Sequence, residues 1–152
     1  QRPELLVLDE PTEGLDPIVR RDILGTLLDY VSEQGATVLI SSHLVHELER
    51  ICDWVGLMDQ GRLISEMPMQ QFKNGIKRLR IIDPPGTYDN TPFEVLAREP
   101  VNGGVPGEMI LVQGWSADMA EYFSGVGASL REVVDLDLED GFVEMLRAYR
   151  AG

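Results

Sequence analysis

Residues 5–17 read LLVLDEPTEGLDP, and this stretch decides the fold of the first half of the chain. Four consecutive aliphatic residues at positions 5–8 are typical of a strand covered on both faces in a parallel sheet. Two acids, Asp9 and Glu10, follow at the carboxyl end of that strand. Asp16 and Pro17 then match a helix N-cap followed by proline at the first helical position. The stretch therefore predicts a buried strand, a polar turn and the start of a helix.

A second strand and a second polar cluster follow in the same order. Apolar residues recur at helical spacing over 24–31, and Gly35 is expected to stop this helix. Residues 37–40 predict another buried strand, which ends in Ser41-Ser42-His43 before a short helix over 44–51. The order strand, helix, strand predicts a parallel α/β unit with a right-handed crossover. Because ligands bind at the carboxyl ends of strands in such sheets, the two polar clusters predict one site.

The remaining residues predict a small α+β domain built from short strands. The pattern predicts a β-hairpin over 55–65, strands at 77–82, 109–112 and 129–136, a helix over 117–123 capped by Ser116, and a last helix from Leu138 whose inner face contains Phe142, Met145, Leu146 and Tyr149. Residues 84–107 form a long, loop-rich segment. Its Gly103-Gly104 indicates a hairpin-type connection in preference to a phosphate cradle, because no Gly-Lys-Ser/Thr follows and no helix begins there. We divide the chain into domains at 1–67 and 77–152, joined by a linker at 68–76.

Composition limits the kinds of partner that the chain can bind. Its 152 residues carry a formal net charge of −13, spread over both halves without a basic stripe, so direct binding to nucleic acid or to an anionic membrane is disfavoured. No apolar run approaches the roughly 20 residues that cross a bilayer, so we expect no membrane insertion. The single Cys52, which we interpret as a buried structural residue, favours a reducing, cytoplasmic setting.

The spacing of these motifs resembles the second half of an ATP-binding subunit of an ABC transporter. LLVLDEPTEGLDP is similar to the Walker B strand and D-loop of that family, and VLISSH at 38–43 is similar to its H-loop. GLMDQGRLISEM at 56–67 resembles the hairpin that follows the H-loop. The resemblance covers residues 3–66 and implies a partial P-loop NTPase sheet.

The resemblance implies a role for each polar residue at the strand ends. Asp9 would hold Mg²⁺ through its water shell, and Glu10 would orient or deprotonate the water that attacks the γ-phosphate of ATP. His43 matches the switch histidine that contacts the γ-phosphate, and Ser42 would lie beside it in the nucleotide site. Asp16 matches the D-loop aspartate, which in the family reaches across a nucleotide-sandwich dimer.

The resemblance also implies partners and missing parts. In the family, a second ATPase subunit completes the site and a separate transmembrane permease is driven by it, so the subunit is peripheral to the inner membrane. The 152 residues contain neither a Walker A loop nor a signature motif. With no initiator Met, the sequence predicts a piece of a longer protein, and we expect the chain alone to be inactive as an ATPase.

The second half resembles the small carboxyl-terminal extension of ABC-2-type exporter ATPases. The clearest fragment is VVDLDLEDGFVEMLRAY at 133–149. The acids Asp137 and Asp140 are equally well explained as helix-start residues that interact with the helix dipole. The resemblance favours an exporter, and it leaves open whether this half regulates, contacts a partner or stabilises the ATPase.

Three alternatives compete with this interpretation of the sequence. His43, His46 and Glu47 could form a metal site on a helix, but their order is not His-Glu-x-x-His and no third ligand is evident. An ABC ATPase of DNA repair or translation shares Walker B, but the charge of −13 argues against a polyanionic substrate. The chain could also be a non-catalytic regulatory or interaction domain with an inert ATPase remnant.

Overall fold

The computed structural model describes residues 4–152, and these form two compact units. The first extends as far as Cys52, and the second spans residues 53–152. Both units mix helices with strands, and the sheets are parallel in one unit and antiparallel in the other, so the predicted α/β and α+β character is confirmed. No helix among residues 4–152 is both long and apolar enough to cross a membrane.

The first unit is a single strand-helix-strand-helix sequence. Its elements are β1 (Leu5–Asp9), α1 (Pro17–Gln34), β2 (Thr37–Ser41) and α2 (Val45–Ile51). Strands β1 and β2 pair in parallel, and the register runs from Leu5 opposite Thr37 to Asp9 opposite Ser41. The predicted parallel pair is confirmed, and both carboxyl ends lie at the same edge.

Both ends of α1 have the predicted local chemistry. The Asp16 carboxylate accepts hydrogen bonds from the backbone N–H groups of Ile18 and Val19, at 2.9 and 3.0 Å, and so caps the amino end. Gly35 has a φ of 64°, and its N–H donates to the carbonyl of Val31 at 3.0 Å. That left-handed conformation strongly favours glycine, which explains why the helix ends there.

The prediction that β1 and β2 are covered on both faces is wrong for the described residues. Burial alternates along both strands, and the side chains of Leu5, Val7 and Leu39 are 56%, 63% and 61% exposed. The apolar composition of β1 and β2 is typical of strands that are buried on both faces. The described elements of this unit, however, cover only one face of the pair. Cys52 is half-buried, so its interpretation as a fully buried residue is also corrected.

The second unit contains a hairpin, a four-stranded antiparallel sheet and several helices. Its elements are β3 (Trp54–Asp59), β4 (Arg62–Pro68), α3 (Met69–Gly75), β5 (Lys77–Ile82), β6 (Glu94–Val101), β7 (Gly107–Gln113), a 3₁₀ helix (Ala117–Ala120), α4 (Glu121–Gly125), β8 (Ser129–Asp135) and α5 (Leu138–Ala151). The hairpin pairs β3 with β4, as predicted, and the larger sheet has the order β6-β7-β5-β8.

The segment predicted as a linker, 68–76, is largely helical. Residues 69–75 form α3, in which Met69 and Phe72 are buried, and the hairpin before it contacts this helix. Packing therefore groups the hairpin with the residues that follow it, and the compact unit begins at Asp53. The division at 1–67 and 77–152 stays a prediction about family domains, because packing alone does not define them.

Strand β6 lies inside the segment that the sequence indicates to be loop-rich, and the sequence did not predict this strand. It is an edge strand that contains Pro100, and its stretch Ala97-Arg98-Glu99 lacks the apolar alternation that indicates a strand. This segment is a strand because it pairs with β7, and its own sequence pattern does not indicate one. Gly103 and Gly104 lie in the connection between these two strands, so the hairpin-type connection is confirmed.

Aromatic rings form the core of the second unit. Phe93 and Phe123 stack with their ring centroids 5.6 Å apart, and Trp115 contacts both. The rings pack on the buried aliphatic face of the sheet, which includes Leu79, Ile81, Ile110 and Val112. This core includes no residue of the first unit.

The last helices follow the sequence pattern with two corrections. The Asp137 carboxylate accepts a hydrogen bond from the Asp140 N–H at 2.8 Å and caps α5 as predicted, and Met145 is buried. Tyr149 is 45% exposed, so its assignment to the inner face is wrong. The Ser116 hydroxyl bonds the Asp118 side chain and does not cap a backbone N–H, and the helix that follows begins as a 3₁₀ helix.

Gly141 provides a test of how α5 packs. A Cβ at this position would lie 2.8 Å from Cε1 of Phe72, closer than van der Waals contact allows. We expect Gly141→Ala to destabilise the second unit by about 1–3 kcal/mol, because the buried ring must shift. Urea unfolding followed by tryptophan fluorescence measures this, since both tryptophans belong to this unit. Val143→Ala, on the exposed side of the same helix, should change stability by less than about 0.5 kcal/mol. Equal effects of the two changes would contradict the packing.

Candidate functional site

The carboxyl ends of β1 and β2 bring the two predicted polar clusters together. Asp9 lies opposite Ser41, whose hydroxyl donates to Asp9 Oδ1 at 2.5 Å. The backbone N–H of Glu10 donates to the Ser41 carbonyl at 2.8 Å, which extends the pairing one residue beyond β1. Residues that are 32 positions apart in sequence are therefore fixed side by side at this edge.

Glu10 is the centre of the cluster. Its backbone has a φ of 47°, an uncommon conformation for a residue other than glycine. Its Oε1 accepts from the His43 backbone N–H at 3.0 Å and lies 2.9 Å from His43 Nδ1. Its Oε2 accepts a longer bond, 3.3 Å, from the Ser42 hydroxyl. Glu10 thus joins the end of β1 to both Ser42 and His43 after β2.

The Glu10–His43 contact shifts the pKa of each group. The hydrogen bond from the His43 side chain is the largest influence that holds the pKa of Glu10 below its ordinary value. The same bond, with the negative charge of Glu10, raises the pKa of His43 above its ordinary value of 6.5. His43 remains 64% exposed, so the pair lies at the surface and is screened by solvent.

Asp16 caps α1 and is not bonded to this cluster. Its carboxylate accepts hydrogen bonds from the first backbone N–H groups of α1, and within residues 4–152 it forms no hydrogen bond or ion pair with Asp9, Glu10, Ser42 or His43. The structure therefore places four of the five predicted site residues together. The fifth lies at the start of the adjoining helix.

Thr12, Glu47 and Arg20 form a supporting network that sequence analysis did not assign. Thr12 is 3% exposed, and its hydroxyl donates to Glu47 Oε2 at 3.4 Å, while Arg20 lies 3.4 Å from Glu47 Oε1. The network links the turn after Glu10 to α1 and α2. A threonine two residues after Glu10 gave little sequence signal, because turns often contain threonine.

The donors at this edge suit a magnesium ion that is held mainly by other groups. Mg²⁺ usually keeps several waters and binds one or two carboxylates together with substrate phosphates. Asp9 is exposed and supplies one carboxylate, with the Ser41 hydroxyl beside it. Within residues 4–152, no group of three or more His, Cys, Asp or Glu side chains is placed to hold a metal ion. The residues fit a water-mediated contact better than a cage.

Comparison with known proteins identifies relatives for about half of the chain. No family model matches it. Over 72 residues it is 38% identical to "ABC transporter ATP-binding protein YtrB" of Bacillus subtilis, and over 71 residues it is 42% identical to "Bacitracin transport ATP-binding protein BcrA" of Bacillus licheniformis. It is 44% identical over 72 residues to "Lantibiotic transport ATP-binding protein SrtF" of Streptococcus pyogenes. Its homologues are ABC transporter ATP-binding proteins.

The alignments with these ABC proteins cover only part of this chain and only part of each relative. Each of the three alignments covers 47% of this chain and 25%, 23% and 31% of the relative, respectively. The chain thus spans about a quarter of the length of these relatives. A solved structure described as "Structure of ATP binding subunit of ABC transporter" is 29% identical, with a TM-score of 0.43, and covers 47% of this chain and 30% of that one.

The Glu10–His43 pair can be tested by titration. Protonated His43 stabilises the folded chain below about pH 6.5, and this stabilisation is lost as the pH rises through the raised pKa of His43. The contribution of ionised Glu10 is present above about pH 4.5 and is lost as the pH falls through its lowered pKa. The pair should therefore stabilise the fold most between these two values.

We expect Glu10→Gln to lower the pKa of His43, because the negative charge and the ionic hydrogen bond are both removed. The pKa is measured from the ring proton shifts of His43 by NMR, with the His46 signals assigned by His46→Gln. Glu33→Gln, an identical change near the end of α1, serves as the control and should leave the pKa of His43 unchanged. An unchanged pKa in Glu10→Gln would show that the contact does not form in solution.

Proposed function

We propose that this chain contributes the Walker B, D-loop and H-loop residues of an ATP-hydrolysing subunit that energises a separate membrane permease. The observation that carries the proposal is the contact of Glu10 with His43 across the ends of two parallel strands. The relatives support the same class, since their names refer to ATP binding and, for BcrA and SrtF, to transport of bacitracin and a lantibiotic. These names also favour an exporter.

Glu10 has the geometry of a group that binds the attacking water. Its lowered pKa keeps the carboxylate ionised near neutral pH, so it acts only as an acceptor. Oε1 is held by His43 through two contacts, whereas Oε2 has one long bond to Ser42. Oε2 therefore has the free capacity to accept a hydrogen bond from water.

His43 would present its second ring nitrogen to the γ-phosphate. Nδ1 faces Glu10, which leaves Nε2 directed elsewhere on an exposed ring. A raised pKa favours the protonated form, which donates from both nitrogens. His43 would thus hold the orientation of Glu10 with one nitrogen and bind a phosphate oxygen with the other.

Asp9 would hold the magnesium ion through water, and Ser41 would fix the orientation of the Asp9 carboxylate. The ion, when bound, would neutralise charge on the phosphates of ATP. Asp16 would combine its observed role as the cap of α1 with a contact to a second ATPase subunit. We place the assembly in the cytoplasm, at the inner face of the membrane through the permease.

The site as proposed needs groups that this sequence does not contain. Phosphate binding requires a glycine-rich loop with its lysine, and no G-x-x-x-x-G-K-[S/T] segment occurs in the 152 residues. A longer chain and a second subunit would supply that loop and the signature motif. The alternative of a DNA-repair or translation ATPase is less well supported, because the charge of −13 disfavours polyanions.

The role of Glu10 is tested in a longer chain that joins these residues to a phosphate-binding loop and a signature motif. We expect Glu10→Gln to reduce ATP turnover by about 10²–10⁴-fold, because a positioned base is lost. ATP-dependent dimerisation should persist, since amide and carboxylate have similar shapes. Phosphate release and light scattering measure the two properties.

Glu33→Gln is the matched control, and it should retain both turnover and dimerisation. Loss of turnover in this control would indicate a general effect of removing charge. Full turnover in Glu10→Gln would contradict the proposed role of Glu10 while leaving the family relationship intact.

The 152-residue chain by itself should not hydrolyse ATP. Its carboxylates have no phosphate-binding loop to hold the triphosphate before them. The measurement is phosphate release by the purified chain with ATP and magnesium, beside the same chain with Glu10→Gln. Turnover that disappears in the variant would overturn this expectation.

A further inference from the structure

The second unit contains a cavity that none of the roles discussed above uses. It has a volume of about 430 Å³ and is open to solvent, since most of the residues that line it are exposed. Its walls come from β5, β8 and the loop between β6 and β7. The lining residues that matter here are Arg80, Arg131, Ile82, Gly103, Gly104 and Val105.

Two unpaired arginines line this cavity. Elsewhere in the second unit Lys77, Arg98, Arg147 and Arg150 each form an ion pair with a carboxylate, whereas Arg62 and Arg78 form none with a described group. Within residues 4–152, neither Arg80 nor Arg131 is in an ion pair or hydrogen bond with a described group. Glu132 lies opposite Arg80 in the strand register, yet the two side chains form no ion pair.

What distinguishes Arg80 and Arg131 is that they line one cavity, in a chain with a net charge of −13. Acids outnumber bases two to one, so carboxylate partners are plentiful. Two guanidinium groups that line one cavity repel each other unless an anion lies between them. An anion bound between the two arginines would remove this repulsion.

A β-bulge places Arg131 at the cavity. Arg80 pairs with Glu132 and Ile81 pairs with Leu130, so Arg131 is the extra residue in β8 and has no partner on β5. Bulges redirect a side chain out of the regular alternation and are common beside functional sites. Without the bulge, Arg131 would take the place of Leu130 opposite Ile81. Leu130 would then no longer lie on the core face with Ile81.

The opposite wall is shaped by the loop that joins β6 to β7. Gly103 and Gly104 have no side chains, and a Cβ at either would meet no atom within 4 Å, so the wall is open to a bound group. Val105 and Ile82 add apolar surface next to the arginines. The cavity thus offers two cationic groups for an anion, with apolar surface beside them.

We propose that this cavity binds a small organic phosphate, with the phosphate held by Arg80 and Arg131 and the organic part against Val105 and Ile82. Guanidinium groups match phosphate oxygens in bidentate geometry, and two of them balance the double charge of a phosphate monoester better than the single charge of a carboxylate. A soluble ligand is favoured over a lipid, because the charge of −13 repels an anionic membrane surface. The proposal does not depend on the ATPase function.

Phenyl phosphate is the probe for the test, with inorganic phosphate and benzoate for comparison. Titration of the 152-residue chain is followed by NMR of the backbone amides. We expect saturable shifts at Gly103, Gly104 and Val105, with phenyl phosphate binding more tightly than inorganic phosphate and benzoate binding least. Arg80→Gln and Arg131→Gln should each weaken binding by about 10-fold to 100-fold.

Arg62→Gln is the matched control, since Arg62 is an exposed arginine of the same unit that lies on the hairpin. It removes the same charge and should leave binding unchanged; retained amide spectra in all three variants show that folding is intact. The proposal is overturned by a lack of saturable shifts, by an equal loss in Arg62→Gln, or by unchanged binding in both cavity variants. Binding to phosphatidic acid vesicles without a response to phenyl phosphate would contradict the proposal that the ligand is a soluble molecule.

Discussion

The parallel pairing of β1 with β2 is the constraint on which the candidate active site depends. The register sets Asp9 opposite Ser41, and one further backbone bond, from Glu10 to the Ser41 carbonyl, extends the pairing beyond β1. The positive φ of Glu10 then turns the chain at the strand end. Because of this geometry, the Glu10 carboxylate reaches Ser42 and His43 instead of continuing the alternation of the strand.

The contact between Glu10 and His43 combines orientation with charge. His43 lowers the pKa of Glu10 and Glu10 raises the pKa of His43, so each group favours the charged form of the other. The backbone N–H of His43 adds a hydrogen bond that does not depend on protonation of the ring. The carboxylate is therefore oriented even when the ring is neutral. Thr12 and Glu47 link the next turn to α2, so the loop that follows the acids is supported from a second side.

The second unit is organised by a different principle. Its aromatic core packs against the four-stranded sheet, and its buried Glu108 accepts hydrogen bonds from Arg98 and Tyr88. Arg80 and Arg131, by contrast, pair with no carboxylate among the described residues, and both line the same cavity. The bulge in β8 leaves Arg131 without a partner on β5, and the guanidinium group of this residue lines the cavity.

Local patterns in the sequence determined the strands at both ends of α1, the caps at Asp16 and Gly35, the hairpin of β3 and β4, and the polar residues at the strand ends. These depend on neighbours in sequence, such as a carboxylate two or three residues before the N–H that it caps. Only the tertiary structure decided that β6 is a strand, that residues 69–75 pack as a helix, and that β1 has an exposed face. It also decided that Glu10 binds His43 and that Arg131 reaches the cavity. Those features depend on pairing between distant segments, and no local pattern encodes which partner a strand edge or a side chain will meet.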